Sequence, residues 1–361
     1  MKKFSILLAL VLVLGLAVPA MAAADVDVST TVGVENVYDD SKDESSATEG
    51  YLYLFLEGNP TENVNFYSEI DFTGYFDGNK NEEDVDVYEA WIEVDEVVGP
   101  VDVKLGRMYE ESADNVLYEY DSDDFVRLGY EAGNVSAKFG HNLDSEGDDA
   151  PATAGDSEAF AEFKATDLGL LDQASLNYTK DNNLTDADGN ATGDSYEGYT
   201  VKLTNDFDVV DASLLYGTAD GEYASGNDWN ESADITALGL STDQLFPGAT
   251  LSLDYADVEE NFVKAEDQDS YLNDTVTGDD FDMIKPGVNF DLTDKTNVDF
   301  SYAMYSADND DADDDYLDLL ITHNVAENTT LEVELEDHSY DGSNITDDDE
   351  TIITTTLETN F

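Results

Sequence analysis

The sequence predicts an all-β chain, a closed transmembrane antiparallel β-barrel of about eighteen strands with sixteen as the alternative. Three observations predict it. Apolar and polar residues alternate with period two through most of the chain from residue 25 onward, which places one apolar and one polar face on each segment. The links between segments alternate short and long, hairpin after hairpin. No apolar run after the first two dozen residues is long enough for a helix to cross a bilayer, so a later meeting with membrane requires a closed barrel.

The chain opens with a leader. Lys2 and Lys3 precede the short apolar core Ile6–Val18, and Ala20-Met21-Ala22 is a small-x-small cleavage site. Residues 1–24 therefore read as a secretory signal peptide and residues 25–361 as one barrel domain. In the first segment, 26–38, Val26, Val28, Thr30, Val32 and Val34 share one face, and Asp27, Ser29, Thr31 and Glu35 share the other. A polar link, 39–50, leads to segment 51–58. The turn Gly58–Thr61 contains a proline and leads to 62–76, where Val64–Tyr67 and Ser68–Phe72 alternate. Segments 85–98 and 100–108 meet at Gly99-Pro100, a pair that breaks strand pairing.

An acidic link, 110–123, separates these from 124–131 and 133–141, which are joined at Ala132-Gly133. Link 142–156 precedes 157–165 and 171–180, joined at Thr166–Leu170. Link 181–194 precedes 195–204 and 208–217, joined at Asn205–Phe207. Link 218–231 precedes 232–241 and 248–259, joined at Thr242–Pro247. Segments 157–165 and 232–241 alternate least clearly, and losing one hairpin would give the sixteen-strand alternative. Link 260–280 precedes 281–290 and 295–305, and the latter holds the alternating Val298–Tyr302. Link 306–314 precedes 315–324 and 328–337, where Leu331–Glu336 alternates strictly. Link 338–349 precedes the last segment, 350–361. Short turns on one rim and long loops on the other are the plan of a membrane barrel, and an even strand number puts both termini on the short-turn rim.

Composition excludes several function classes. The formal charge is −71, from 85 acidic against 14 basic residues, so the chain is no nucleic-acid binder. Without cysteine there is no disulfide framework, thiolate nucleophile or thiolate metal site. His141, His323 and His338 are far apart, and no Ser/His/Asp order or glycine-rich phosphate loop is present; the chain is not read as an enzyme. Asp186–Asp194 resembles part of a calcium loop but carries Ala191 where that loop needs glycine. No cofactor is expected beyond loose calcium binding by acidic loops.

The chain ends Leu357-Glu358-Thr359-Asn360-Phe361, an alternating strand with a terminal aromatic. Val101–Tyr109 contains Lys104-Leu105-Gly106-Arg107 and runs into Glu110-Glu111-Ser112-Ala113-Asp114. With the leader and the mature length, these features resemble the Gram-negative porins, where a "LGR"-type strand precedes the loop that folds into the lumen. The resemblance implies an outer-membrane channel, a homotrimer, and recognition of Phe361 by the barrel-assembly machinery.

In such a barrel polar faces line a water-filled lumen and apolar faces meet lipid. Parity puts Lys104, Arg127, Lys138, Lys164, Lys202 and Lys285 inside, with Arg107 outward at a strand end. Four fall on consecutive segments and form a basic wall; the expected constriction sets the loop 110–123, with Glu110, Glu111 and Asp114, opposite that wall. Inward acids such as Glu69, Asp71, Glu89, Glu93, Asp254, Asp299, Asp318, Glu332 and Glu334 outnumber the bases, so passive diffusion through the pore should favour cations. Tyr38, Tyr75, Tyr88, Tyr109, Tyr130, Tyr178, Tyr216, Tyr255 and Tyr302 fit interfacial girdles. Tyr51, Tyr53, Tyr67 and Trp91 fall inward by parity, as girdle or packing residues or, as the rival reading, a sugar-guiding aromatic track. The rival readings are a sugar- or oligopeptide-specific channel of the same fold, and a secreted acidic β-rich surface or adhesion protein without a pore. The acidic excess with scarce lysine further predicts a halophilic source, since brine screens such a surface.

Overall fold

The computed structural model describes residues 25–39, 46–75, 83–114, 116–142, 158–185, 191–222, 232–259, 262, 280–307, 313–341 and 350–361. The expected leader 1–24 lies outside the described residues, as do most of the calcium-like stretch 186–194 and most of the links 306–314 and 338–349.

Eighteen strands follow in chain order: β1 (Asp25–Asp39), β2 (Ser46–Thr61), β3 (Val64–Tyr75), β4 (Glu83–Val94), β5 (Val101–Glu111), β6 (Glu119–Ala132), β7 (Val135–Asn142), β8 (Ala159–Thr166), β9 (Gln173–Thr185), β10 (Ala191–Asp206), β11 (Asp211–Glu222), β12 (Ala233–Phe246), β13 (Ala249–Val258), β14 (Phe281–Thr293), β15 (Thr296–Ala307), β16 (Asp313–Ala326), β17 (Thr329–Asp341) and β18 (Glu350–Asn360). Each pairs antiparallel with its neighbours in sequence, and β1 pairs with β18 from Thr31↔Asn360 to Asp39↔Ile352. The sheet is thus a closed ring with no free edge, the only way a sheet satisfies its backbone groups in hydrocarbon. The count is eighteen and not sixteen, because both weakly patterned segments form full strands as β8 and β12.

Phe361 ties the seam at the short-turn rim: its N–H donates to Thr30 O at 2.9 Å, and Thr30 N–H donates to Phe361 O at 3.2 Å. Several strands run past their sequence-predicted ends. The link expected over 110–123 shrinks to 112–118 because β6 already starts at Glu119. Above the membrane both strand faces meet water, so alternation fades while backbone pairing continues.

One face of the ring carries the exposed large apolar residues, including Val32, Ile92, Leu105, Leu128, Phe139, Phe163, Leu176, Leu238, Leu253, Ile284 and Leu357. This is the lipid face, with Tyr38, Tyr130, Tyr199 and Tyr216 exposed on it. The other face is the lumen, and its composition departs from expectation. On the external half of β11–β16 the inward positions are apolar and buried, among them Ala219, Ile235, Ala256, Met283, Ala303 and Tyr305. Val116 and Leu117 from the β5–β6 connection and Phe262 from the β13–β14 connection belong to the same cluster. Inward side chains there meet folded-in protein instead of water, so the polar-inside rule lapses locally.

Candidate functional site

β5, the strand that leads into the β5–β6 connection, packs on β4 through a local backbone device. Gly106 sits at φ +133, and a Cβ there would lie 2.2 Å from the Ala90 carbonyl oxygen. Only glycine accepts that conformation and that approach, so the glycine of the "LGR" stretch is required where β5 crowds β4. Beyond it, residues 112–114 and 116–118 fold against the inner wall. Ser112 Oγ accepts the N–H groups of Val116, Leu117 and Tyr118 at 3.2, 3.1 and 3.4 Å. Ser112 N–H donates to Tyr118 O at 2.9 Å, closing the turn. The Tyr118 ring stacks on Phe160 of β8 with centroids 4.9 Å apart.

Asp114 anchors this segment to strands far round the ring. Its carboxylate is 4% exposed. It accepts Asn177 Nδ2 of β9 at 2.7 Å and the Thr200 hydroxyl of β10, and its Oδ1 accepts Val116 N–H at 3.2 Å. Asn177 and Thr200 are fully buried and were not singled out from the sequence. Parity places both inward, but nothing local to either residue points to a partner 63 or 86 positions away.

The lumenal basic residues divide into two groups. Register puts Lys104, Arg127, Lys138, Lys164, Lys202 and Lys285 on the inner face, as parity predicts. Arg127 bonds Glu93 at 2.7 Å and Glu110 at 2.8 Å and lies 3.8 Å from Asp102. Lys138 reaches Glu110 at 3.7 Å, and Lys104 Nζ sits 4.0 Å above the Trp91 ring. Glu110 is therefore inserted into the basic wall and does not face it from across the pore. In this cluster Glu93, Asp102 and Glu110 balance Lys104, Arg127 and Lys138. Lys164, Lys202 and Lys285 lie beyond it and have no carboxylate within ion-pair distance among the described residues. Arg107 points outward near the external end, 3.8 Å from Asp86 and 3.9 Å from Asp124. Glu111 is exposed at the end of β5 and accepts the Tyr109 hydroxyl at 3.0 Å.

The carboxylates that do face the basic wall come from strands. Nine positions round an eighteen-strand ring from β7 stands β16, flanked by β15 and β17. Their lumenal residues include Asp299, Asp318, Glu332, Glu334 and Glu336. A further set, Glu69, Asp71 and Glu89, lines β3 and β4. Interleaved with it are the inward aromatics: Tyr51 stacks on Tyr53 at 4.8 Å and Tyr67 on Trp91 at 5.5 Å. At the short-turn end of the wall, β10–β13 leave a recess of about 450 Å³ lined by Lys202, Asp254, Asp211, Ser213 and Gly239. No group of three His, Cys, Asp or Glu suited to a metal is present among the described residues.

No curated protein matches the chain in sequence. Solved structures share its fold. OpdK of Pseudomonas aeruginosa, crystallised with vanillate, superposes with a TM-score of 0.69 at 9% identity, covering 93% of this chain and 98% of that one. OccAB1 of Acinetobacter baumannii gives 0.67 at 12% identity over 93% and 96%. OccD3 (OpdP) of P. aeruginosa gives 0.66 at 13% identity over 92% and 91%. The model of the Gram-negative porins matches residues 7–343. That match and the closed eighteen-strand barrel lead to one conclusion: the chain belongs to the Gram-negative porin family, the outer-membrane channels that pass small solutes and are not enzymes.

Proposed function

We propose that this protein is a passive, water-filled channel for small hydrophilic solutes and ions, that it prefers cations, and that residues 112–118 narrow it. The observation that carries the cation preference is the balance of lumenal charge. Arg127, Lys138 and Lys104 are matched by Glu93, Asp102 and Glu110 in one cluster. Outside it, Lys164, Lys202 and Lys285 are set against a larger number of lumenal carboxylates, Asp254 of β13 opposite Lys285 and those of β3, β4 and β15–β17. A lumen with surplus negative charge concentrates cations and repels anions, more strongly at low salt.

The test is a reversal potential across a KCl gradient in a planar bilayer. Cation preference that weakens as salt rises supports the proposal; anion preference overturns it. A solute-specific channel of the same fold is the rival reading, and saturable flux of one solute with little ion conductance would favour it. The homotrimer implied by the resemblance belongs to the same proposal and is read from the mass of the detergent-extracted particle.

A further inference from the structure

We infer that the lumenal strip of Tyr51, Tyr53, Tyr67 and Trp91 is a subsite for organic cations bearing an alkylated ammonium group; the inference rests on the cation-preferring reading above and deepens it. The strip runs diagonally down the wall. Tyr51 and Tyr53 lie on β2, and Tyr67 and Trp91 face each other across β3 and β4 nearer the short-turn rim. All four are half-buried, so each keeps surface toward the lumen.

Three features select cations over other solutes. First, three of the rings spend their polar edges on carboxylates. Tyr51 hydroxyl donates to Glu358 at 3.1 Å, Tyr67 hydroxyl to Glu69 at 2.9 Å, and Trp91 Nε1 to Glu89 at 2.8 Å. Those edges have no proton left to offer a sugar hydroxyl. Donation to an anion also enriches the ring's π-face, the part that attracts positive charge. Second, carboxylates border the rings: Asp71 pairs with Tyr53 across the strands, and Glu69 and Glu89, which pair with each other, lie between the two stacks in register. An aromatic face edged by carboxylates is the chemistry that recognises alkylammonium groups. Third, the structure already holds an ammonium in this way, with Lys104 Nζ 4.0 Å above the Trp91 ring. Lys104 covers that last ring, so the positions open to a passing cation are the Tyr51–Tyr53 pair and Tyr67. Inorganic cations keep their water and gain little from a ring face, whereas weakly hydrated alkylammonium ions gain more.

The experiment uses the full-length barrel in planar bilayers with tetramethylammonium and potassium. In the wild type, the permeability ratio of tetramethylammonium to potassium should exceed the ratio of their bulk mobilities. The double variant Tyr53→Leu/Tyr67→Leu, which keeps apolar bulk but removes the rings, should lower that ratio by roughly fivefold. Heat-modifiable gel migration confirms that the variant is folded; if the double variant does not insert, the single exchanges are read instead, with a smaller drop expected from each. A wild-type ratio at or below the mobility ratio overturns the inference and leaves the cation preference standing. Absence of any cation preference overturns both. Current noise induced by a neutral disaccharide and lost in the variants overturns it too, because it assigns the strip to sugars.

Discussion

Replacing Asp114 with alanine should release the segment 112–118 from the wall without opening the barrel. The carboxylate is the acceptor for Asn177 Nδ2 and the Thr200 hydroxyl, both fully buried. A hydrogen bond to a charged group contributes about 1.5–3 kcal/mol net. Two such bonds to the wall are lost, the third, from Val116 N–H, stays with Ser112 Oγ, and relief from burying a carboxylate offsets part of the loss. Roughly 3 kcal/mol remains, about a hundredfold in the balance between anchored and released segment. The other anchors persist, since Ser112 still closes the turn, Tyr118 still stacks on Phe160, and Val116 and Leu117 still bury apolar surface. The variant should therefore insert and migrate on gels like the wild type, yet show larger, noisier single-channel conductance. Protease added from the loop side should cut within 112–118 faster. Asp114→Asn keeps the shape and one acceptor oxygen and should fall between the two. Wild-type conductance, noise and protease resistance in the alanine variant would refute the claim that Asp114 holds the segment.

Three further predictions concern the barrel and its charge. Gly106→Val forces a Cβ against the Ala90 carbonyl in a strained backbone conformation, and should cost at least about 3 kcal/mol in urea unfolding from bilayers. Arg127→Gln leaves Glu110, itself 4% exposed, with Lys138 at 3.7 Å as its remaining ion-pair partner among the described residues; it should destabilise the barrel by about 3–5 kcal/mol and shift the reversal potential further toward cations. With a formal charge of −71, thermal unfolding should rise steadily between 0.1 M and 1 M salt, as the Debye length falls from about 10 Å to about 3 Å; a flat profile counts against the brine-adapted reading.

Much of the fold is legible in sequence because a strand in a barrel has only two faces. Period two assigns each residue to lipid or lumen, and Lys104, Arg127, Lys138, Lys164, Lys202 and Lys285 all fall where parity puts them. The same rule puts Arg107 outward and Tyr51, Tyr53, Tyr67 and Trp91 inward. Closure follows because a membrane allows no free edge. Turn-and-loop alternation fixes the hairpins, and even β8 and β12, with their weak patterning, form strands because their neighbours require partners.

What parity cannot supply is which inward residues meet. Glu110 is one of many carboxylates in sequence; only the ring sets it between Arg127 and Lys138. Asp114 finds Asn177 and Thr200 because the segment crosses the interior, a path that no local pattern encodes. The apolar lumenal wall of β11–β16 likewise makes sense only with Val116, Leu117 and Phe262 resting on it. The sequence by itself determined the period, the hairpin order and the side of the wall, because those depend on neighbours one or two residues away. Tertiary structure alone decided charge pairing, the anchoring of the inward segment and the alignment of the aromatic strip, because those depend on register and on distances across a closed ring.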